Sequence, residues 1–363
     1  MDKTQLQGIA AHRLAKSQRL ICEWATGTGK SGVVMQFLKA NPDFDCLIFV
    51  PEQNNIENWR AEFKKFGIDD SKVEIACYAS IHKYQDTNWY LLVFDEAPHV
   101  DTQIRIKSCQ SIKASYVLAL GAKIDEDERY ALKFLYGQFE ESKIGFEKAI
   151  EIGLLPCPKV YILHMQIDNQ IARNYYRGRP YTDKEYYDVL NRKVENAVTS
   201  YDNNHSEFLK RRMLTAGNER KRFLGKIKDD ALKKICLNLN KNNLRYLCFC
   251  SSIKQANEIG GDNAYTSKTP TSAKLLEKFN NHTINSLFVV GKLIEGQNLN
   301  DIQCGVIGQL GGTERITIQS VGRIMRSQNP VIYIPIFDGT KDESFLYTLT
   351  SNIPDKYIQH FKF

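Results

Sequence analysis

The sequence lacks the features that place a chain in a membrane or direct it to secretion. No window approaches the roughly 18 uninterrupted apolar residues of a membrane-spanning helix. The N-terminus, MDKTQLQGIAAHRL, has no apolar core of the signal-peptide kind. We therefore expect a cytoplasmic protein that does not associate with membranes.

Cysteine is present, but not in a pattern that forms disulfides or a structural zinc site. The nine cysteines are an odd number, are widely scattered apart from Cys248 and Cys250, and include no C-x-x-C pair. We expect reduced, mostly buried thiols. The chain also has no internal repeat, and its 42% hydrophobic and 25% charged residues are typical of globular domains. A length of 363 residues predicts about two or three of them.

Positive charge is concentrated in one segment. The net charge is +7, whereas residues 169–245 contain 18 Lys or Arg and 9 Asp or Glu, a net +9, so the remainder sums to −2. A basic surface can be merely solvated, but an excess of this size on an otherwise balanced chain favours a polyanionic partner. The candidate phosphate contacts are two tracts: Lys210, Arg211, Arg212 and Arg220, Lys221, Arg222.

The same segment is rich in tyrosine. Its helical patterns predict an inserted helical subdomain over residues 169–235. The tyrosines either stack on bases or form the core of this subdomain, and the sequence leaves both interpretations open. They are Tyr175, Tyr176, Tyr181, Tyr186, Tyr187 and Tyr201.

A glycine-rich stretch, ATGTGKS at residues 25–31, separates an apolar run from apolar residues at helical spacing. This is the order of a strand, a phosphate-binding loop and a helix N-terminus. Lys30 would reach the β and γ phosphates, and Ser31 would hold Mg²⁺. Trp24 replaces the first glycine of the strict pattern G-x-x-x-x-G-K-[ST], so the stretch alone is also compatible with an ordinary turn. The residues predicted to bind ATP here are Thr26, Gly27, Thr28, Gly29, Lys30 and Ser31.

Short apolar strands alternate with helical segments after this loop. Strands are predicted at 45–50, 73–78 and 90–95, which indicates a doubly wound parallel sheet. Ligands bind such sheets at the carboxyl ends of the strands. Asp95 would there hold Mg²⁺, and Glu96 would orient or deprotonate the attacking water. Asp-Glu after a strand also serves as a helix cap, but the glycine loop in the same sheet favours catalysis.

These stretches resemble the motor domains of superfamily 2 helicases and translocases of the DEAD/DEAH type. In the first half the likeness lies in ATGTGKS, FVPEQNNIENW, YASIHKY and VFDEAPHV. In the second half YLCFCSSIKQANEIG, LFVVGKLIEGQNLNDI and ERITIQSVGRIMRS resemble motifs IV, V and VI. The nearest branch contains the motors of restriction enzymes and phage helicases of the UvsW type. The match covers most of the chain outside residues 169–235.

The resemblance assigns roles to further residues. Gln319, Arg323 and Arg326 share one side of a helix by spacing, and the family uses the arginines as fingers on the γ-phosphate. Two arginines on a helix are otherwise ordinary surface residues. In motif V the resemblance implies ATP contacts by Gly296 and Asn298. Gln5 is assigned to the adenine contact, with Gln7 as the competitor.

Two departures from the family pattern bear on coupling. Pro98 occupies the fourth position of motif II, and Gly121, Ala122 and Lys123 stand where motif III commonly has Ser or Thr, Ala and Thr. Both changes remove polar groups from the region where relatives connect nucleotide state to movement. The sequence therefore supports ATP hydrolysis better than efficient strand separation.

The prediction is an α/β protein with two RecA-like doubly wound parallel-sheet domains, at 1–158 and 159–363, the second interrupted by the basic insertion. The predicted function is an ATP- and Mg²⁺-dependent helicase or translocase on nucleic acid, with DNA favoured over RNA. Its protein partners would belong to replication, recombination or restriction-type complexes. An ATP-gated nucleic-acid clamp with weak unwinding and an RNA helicase stay open. A small-molecule kinase is disfavoured, since it would need an acceptor pocket in place of the Gln319–Arg326 helix.

Overall fold

A computed structural model describes residues 2–97, 103–267, 269, 272–290, 299, 301–310, 327–350 and 353–363. The chain divides into two compact units, the first ending at Pro156 and the second beginning at Cys157. Within the described residues no helix is both long and apolar enough to cross a membrane. All nine cysteines are free thiols, and all but Cys77 and Cys157 are buried.

The first domain contains a six-stranded sheet in the order β3-β2-β4-β5-β1-β6, with every pairing parallel. Its strands are β1 Arg19–Trp24, β2 Cys46–Val50, β3 Val73–Cys77, β4 Asn88–Phe94, β5 Lys113–Gly121 and β6 Glu140–Ile144. Its helices are α1 Lys3–Ser17, α2 Ser31–Ala40, α3 Gln53–Phe66, α4 Gln103–Cys109, α5 Glu126–Tyr136 and α6 Phe146–Glu151. The fully buried apolar strands explain why the sheet lies between helices, since both of its faces must be covered.

Sequence signals account for several helix ends in this domain. Asp2 caps α1 in a capping box with Gln5, and Asp125 caps α5 in the same way with Glu128. Helix α3 ends at Gly67, whose φ of 64° is accessible to glycine at little cost. These caps fix where each helix meets the sheet edge.

The second domain contains a seven-stranded parallel sheet in the order β11-β12-β10-β13-β14-β7-β15. Its strands are β7 Lys159–Met165, β10 Tyr246–Cys250, β11 Ala264–Tyr265, β12 Ser286–Val290, β13 Cys304–Ile307, β14 Val331–Phe337 and β15 Ile358–Lys362. Its helices are α7 Asp183–Asn203, α8 Glu207–Lys226, α9 Asp229–Lys241, α10 Ile253–Gly260, α11 Ser272–Asn280 and α12 Lys341–Thr350. Together with the first domain, this confirms the predicted fold class of two doubly wound parallel sheets.

The inserted segment is not helical throughout. A two-stranded antiparallel hairpin, β8 Asn174–Tyr176 and β9 Arg179–Tyr181, precedes α7. Helix α9, at the end of the segment, packs Leu232, Ile235 and Leu239 into the core that covers β10. The insertion as a structural unit therefore consists of the hairpin, α7 and α8, and α9 belongs to the α/β layer.

The last strand joins the sheet beside the first strand of the domain. β15 pairs in parallel with β7. A hydrogen-bonded chain of side chains spans this edge: His164 Nε2 lies 2.8 Å from His360 Nδ1, and His164 Nδ1 lies 2.6 Å from Asp338 Oδ1. Asp338 follows β14, so the chain connects three neighbouring strands.

Candidate active site

The glycine-rich loop lies between β1 and α2, as the sequence predicts. Gly27 and Gly29 have φ angles of 90° and 81°, values that residues with side chains rarely adopt. Glycine is therefore favoured at both positions by backbone conformation.

Several polar groups of this loop are available to a ligand. Among the described residues, the backbone N–H groups of Gly27, Gly29 and Lys30 meet no protein acceptor. The Thr26 hydroxyl is buried and likewise lacks a hydrogen-bond partner there, whereas the fully buried Thr28 hydroxyl donates to Ala25 O at 2.7 Å. Converging N–H donors at a helix N-terminus form an anion site. The loop thus fits a polyphosphate.

Lys30 and Ser31 lie at the start of α2. Lys30 Nζ donates to Trp24 O at 3.0 Å, so the ammonium folds back over the loop from the helix N-cap position. Ser31 is the first residue of the helix. A phosphate group bound by the loop would compete with this single carbonyl for the ammonium.

Asp95 follows β4 at the same edge of the sheet. Because the strand order is β4-β5-β1, the ends of β4 and β1 are separated by one strand. Trp59 Nε1 donates to Asp95 Oδ2 at 2.8 Å, and Tyr78 Oη donates to the Asp95 carbonyl at 2.9 Å. One carboxylate oxygen is thereby fixed by a neutral donor, and the other can face a ligand.

The electrostatics of Asp95 favour a cation beside it. Burial, and next the charge of Glu96, raise the pKa of Asp95 to about 6, against the Trp59 hydrogen bond and the charge of Lys30, which lower it. A cation at the carboxylate would offset the first two effects. Glu96 has a φ of 50°, a left-handed conformation uncommon for a residue with a side chain. The donor set of Ser31 and Asp95, hydroxyl and carboxylate oxygens, suits Mg²⁺.

The two glutamines considered for the adenine contact occupy different surroundings. Gln5 takes part in the capping box of α1 and is exposed. Gln7 is 4% exposed, and its Nε2 donates to Gly29 O at 2.7 Å. The assignment of adenine contact to Gln5 stays a prediction, and Gln7 is the glutamine in contact with the loop.

The altered motif III lies at the end of β5, between the strands that carry the loop and Asp95. Lys123 Nζ lies 3.9 Å from Asp125 Oδ1, at the N-cap of α5. Nearby, the nearly inaccessible guanidinium of Arg129 in α5 forms ion pairs with Glu23 of β1 and, at 2.8 Å, with Glu141 of β6. These charges connect the motif III segment to the strand that leads into the phosphate loop.

Several predicted site residues lie outside the described residues. These are Gly296, Asn298, Gln319, Arg323 and Arg326, together with Pro98 of motif II. Their roles stay predictions.

The basic tracts of α8 differ in exposure. Lys210, Arg211, Arg212 and Arg222 are exposed, with Lys210 3.4 Å from Glu207. Arg220 donates to Asn191 Oδ1 of α7, and burial lowers the pKa of Lys221. Arg220 and Lys221 are thus half-buried between the helices, which leaves the other four better placed to meet phosphates.

The tyrosines of the insertion also separate into two groups. Tyr187 is buried in a core cluster, and Tyr176, Tyr181 and Tyr186 contact one another's rings in pairs. Tyr175 is 73% exposed. The first group therefore packs within the insertion, as the core interpretation expects. Of the tyrosines named here, Tyr175 alone projects fully into solvent.

Sequence reasoning did not assign Trp59 to the site. Trp59 and Phe63 lie one helical turn apart in α3, and both are buried. The available signal was that a buried indole needs an acceptor for its N–H, and the acid after the adjacent strand is such an acceptor.

Residues 1–126 match the family model described as the res subunit of type III restriction enzymes. The helicase domain of Hef from Pyrococcus furiosus superimposes with a TM-score of 0.61 at 13% identity, over 94% of this chain and 97% of that one. The ATP-dependent type ISP restriction-modification enzyme LlaBIII, solved bound to DNA, gives 0.59 at 13% identity, over 100% of this chain and 31% of that one. No curated protein sequence matches the chain. These matches confirm the fold of the helicase resemblance, and the branch within superfamily 2 stays a prediction.

Proposed function

We propose that this protein is a nucleic-acid-dependent ATPase that translocates on nucleic acid, DNA in preference to RNA. The proposal rests on one observation: the phosphate loop, motif III and motif II follow the carboxyl ends of the neighbouring strands β1, β5 and β4. There the loop's unpaired N–H groups, Lys30, Ser31 and Asp95 share one edge of the sheet.

Each residue of this edge has a role in the proposed reaction. The loop N–H groups and the helix N-terminus bind the phosphates, and Lys30 exchanges its contact with Trp24 for a phosphate oxygen. Ser31 and Asp95 would hold Mg²⁺, which would neutralise charge on the bound phosphates. Glu96 orients the attacking water or accepts its proton. Arg323 and Arg326 would stabilise transition-state charge.

The nucleic-acid track and the preference for DNA rest on different observations. The basic tracts on α8 suit a phosphate backbone without selecting its sugar. Among the structures with this fold, the type ISP restriction-modification enzyme was solved bound to DNA. We infer the same class of track for this chain.

Steady-state ATP hydrolysis tests the proposal when measured without nucleic acid and with single-stranded DNA, duplex DNA or RNA. We expect stimulation by DNA of about tenfold or more, larger than that by RNA. Lys30→Ala should abolish turnover without changing the melting temperature, because the ammonium lies on a loop and not in the core. Lys39→Ala, an exposed lysine on the same helix, is the control. Turnover that no nucleic acid affects would contradict the proposal.

A second candidate is an ATP-gated clamp that binds nucleic acid without processive movement. The observation that favours it is the placement of Lys123 beside Asp125, at the cap of α5, where relatives carry a polar motif III residue. Normal DNA-stimulated hydrolysis combined with no displacement of a strand or of a bound protein would favour the clamp.

A further inference from the structure

The hairpin before α7 is a short, well-defined turn unit. Its register pairs Tyr176 with Arg179, leaving a two-residue loop. In that loop Arg177 and Gly178 have φ angles of 51° and 76°. Two consecutive left-handed residues are typical of the tight turn whose twist matches antiparallel strands. The hairpin tip therefore has a defined conformation of its own.

The base of the hairpin is fixed to the domain. Arg173 pairs with Asp168 at 2.8 Å and with Asp183 at 2.5 Å, and the bond to Asp183 raises the pKa of Arg173. Asn174 Nδ2 donates to Asp183 Oδ1 at 2.7 Å. Because Asp183 is the nearly buried first residue of α7, these contacts attach the hairpin to that helix.

One face of the hairpin packs inward. Alternation along the strands places Tyr176 and Tyr181 on the same face. Tyr176 also contacts Tyr186 of α7, whose ring packs edge-on against Phe223 of α8 at 5.0 Å. This face of edge-on and tilted aromatic contacts supports the hairpin on both helices.

The opposite face carries an exposed ring, and the exposed arginines lie in and beside the turn. Tyr175 is 73% exposed. Arg177 lies in the turn, with its guanidinium 5.4 Å from the centroid of the Tyr176 ring, and Arg179 shares the face of Tyr176 by register. Both arginines are exposed, and no carboxylate of the described residues forms an ion pair with either; residues 169–182 contain no Asp or Glu. The hairpin thus combines one solvated aromatic ring with two positive charges that no described carboxylate neutralises.

We propose that this hairpin tip binds single-stranded nucleic acid, with Tyr175 stacking on an unpaired base and Arg177 and Arg179 contacting the flanking phosphates. Charge complementarity selects a polyanion, and an exposed ring on a rigid support selects one whose bases are unpaired, because base faces are inaccessible within a duplex. The proposal rests on the proposed function and adds to it a contact outside the α8 tracts.

Exposure alone does not single out Tyr175. Tyr347 of α12 is 77% exposed but lies one helical turn after the exposed Glu343. It serves as the matched control for loss of an exposed ring. Lys233 and Lys234, both exposed on α9, serve as the control for loss of two adjacent positive charges.

The test is equilibrium binding of the full chain, without nucleotide, to a labelled oligothymidylate of about 20 nucleotides and to a duplex of equal length. Tyr175→Ser should weaken single-strand binding by about fivefold or more, as loss of one stacked base predicts, and leave duplex binding unchanged. Arg177→Ala with Arg179→Ala should lower the slope of log K against log salt by about 1.4 on the single strand. The Tyr347→Ser and Lys233→Ala/Lys234→Ala controls should behave as wild type.

The outcomes separate this proposal from the proposed function. Wild-type binding that the hairpin variants leave unaltered would overturn the hairpin contact and preserve the ATPase assignment. If Tyr175→Ser weakened binding to the single strand and to the duplex equally, the hairpin contact would also be overturned, because stacking requires unpaired bases. A wild-type chain that binds neither nucleic acid, with or without a non-hydrolysable ATP analogue, would overturn both proposals. Melting temperatures of all variants establish that each protein is folded.

Discussion

At the scale of single residues, the hydrogen bond from Trp59 to Asp95 sets the geometry of the proposed metal ligand. The indole N–H fixes Oδ2 at 2.8 Å, so the direction of the other oxygen follows from the position of α3. Groups that orient a ligand in this way commonly contribute ten- to a hundredfold to metal affinity or activity. Trp59 is therefore a positioning residue, which acts through Asp95.

Trp59→Phe should raise the Mg²⁺ concentration needed for half-maximal ATPase by about tenfold, because the ring packing is kept and the N–H donor is lost. Binding of Mn²⁺ to the protein with a non-hydrolysable ATP analogue, followed by paramagnetic resonance, gives a readout independent of turnover. Trp89→Phe is the matched control, since Trp89 Nε1 donates to Thr87 Oγ1 at 2.9 Å on the same strand that precedes Asp95. An unchanged metal dependence in a folded Trp59→Phe protein would assign the indole a packing role only.

At the scale of elements, charged side chains hold α5 against the strands that carry the phosphate loop. Arg129 has a side-chain exposure of 5%, and its partners Glu23 and Glu141 are exposed by 21% and 30%. Removing Arg129 takes the ion-pair partner from Glu23, whereas Glu141 keeps Lys133 at 3.6 Å and Lys143 at 3.8 Å. Losing one member of a buried pair costs more than the pair contributes when intact.

Arg129→Ala should destabilise the first domain by about 2–4 kcal/mol, below the largest effects seen for buried pairs because both carboxylates retain partial hydration. Arg60→Ala is the comparison, because the Arg60 pair with Asp70 at 2.8 Å is about 40% exposed and should contribute about 1 kcal/mol or less. Urea unfolding of both variants measures the difference. Equal midpoints would mean that α5 is held by packing alone.

The strands and helices show which elements a sequence can predict. The strands predicted at 45–50 and 73–78 each differ from β2 and β3 by one residue at one end. Largely apolar runs explain this agreement, because they indicate buried strands. The hairpin was missed because its strands have three residues each and contain Pro180. Its only signal was the Arg177-Gly178 pair between tyrosines.

The sequence pattern predicts only part of the site. The loop, Asp95 and Glu96 follow from motif and strand end, because topology brings those ends together. The bonds of Trp59 and Gln7 depend on how α3 and α1 pack over the sheet, which periodicity does not specify. The sequence likewise did not indicate which basic side chains are exposed. Arg220, Lys221 and Arg222 are consecutive in one basic tract, yet only Arg222 is exposed.

At the scale of the whole molecule, the departure at Lys123 bears on how hydrolysis is coupled to movement. The proposal predicts DNA-stimulated hydrolysis with poor separation of a plain duplex. Lys123→Thr, which restores the residue type common in relatives, should raise strand displacement with little change in ATPase. Paired ATPase and strand-displacement assays on wild type and variant measure this. Robust wild-type unwinding of long duplexes would contradict weak coupling, and loss of both activities in the variant would give Lys123 a contact of its own.

The pairing of β15 with β7 has a consequence for how the protein is made. These strands are about 200 residues apart in sequence yet adjacent in the sheet, which gives the second domain a high contact order and predicts slow folding. The first domain has no such requirement and can fold while the ribosome is still synthesising the rest. Until residues 358–362 emerge, β7 presents an unpaired edge, a surface on which nascent chains aggregate. Strand β15 thus determines when this edge of the second sheet is complete.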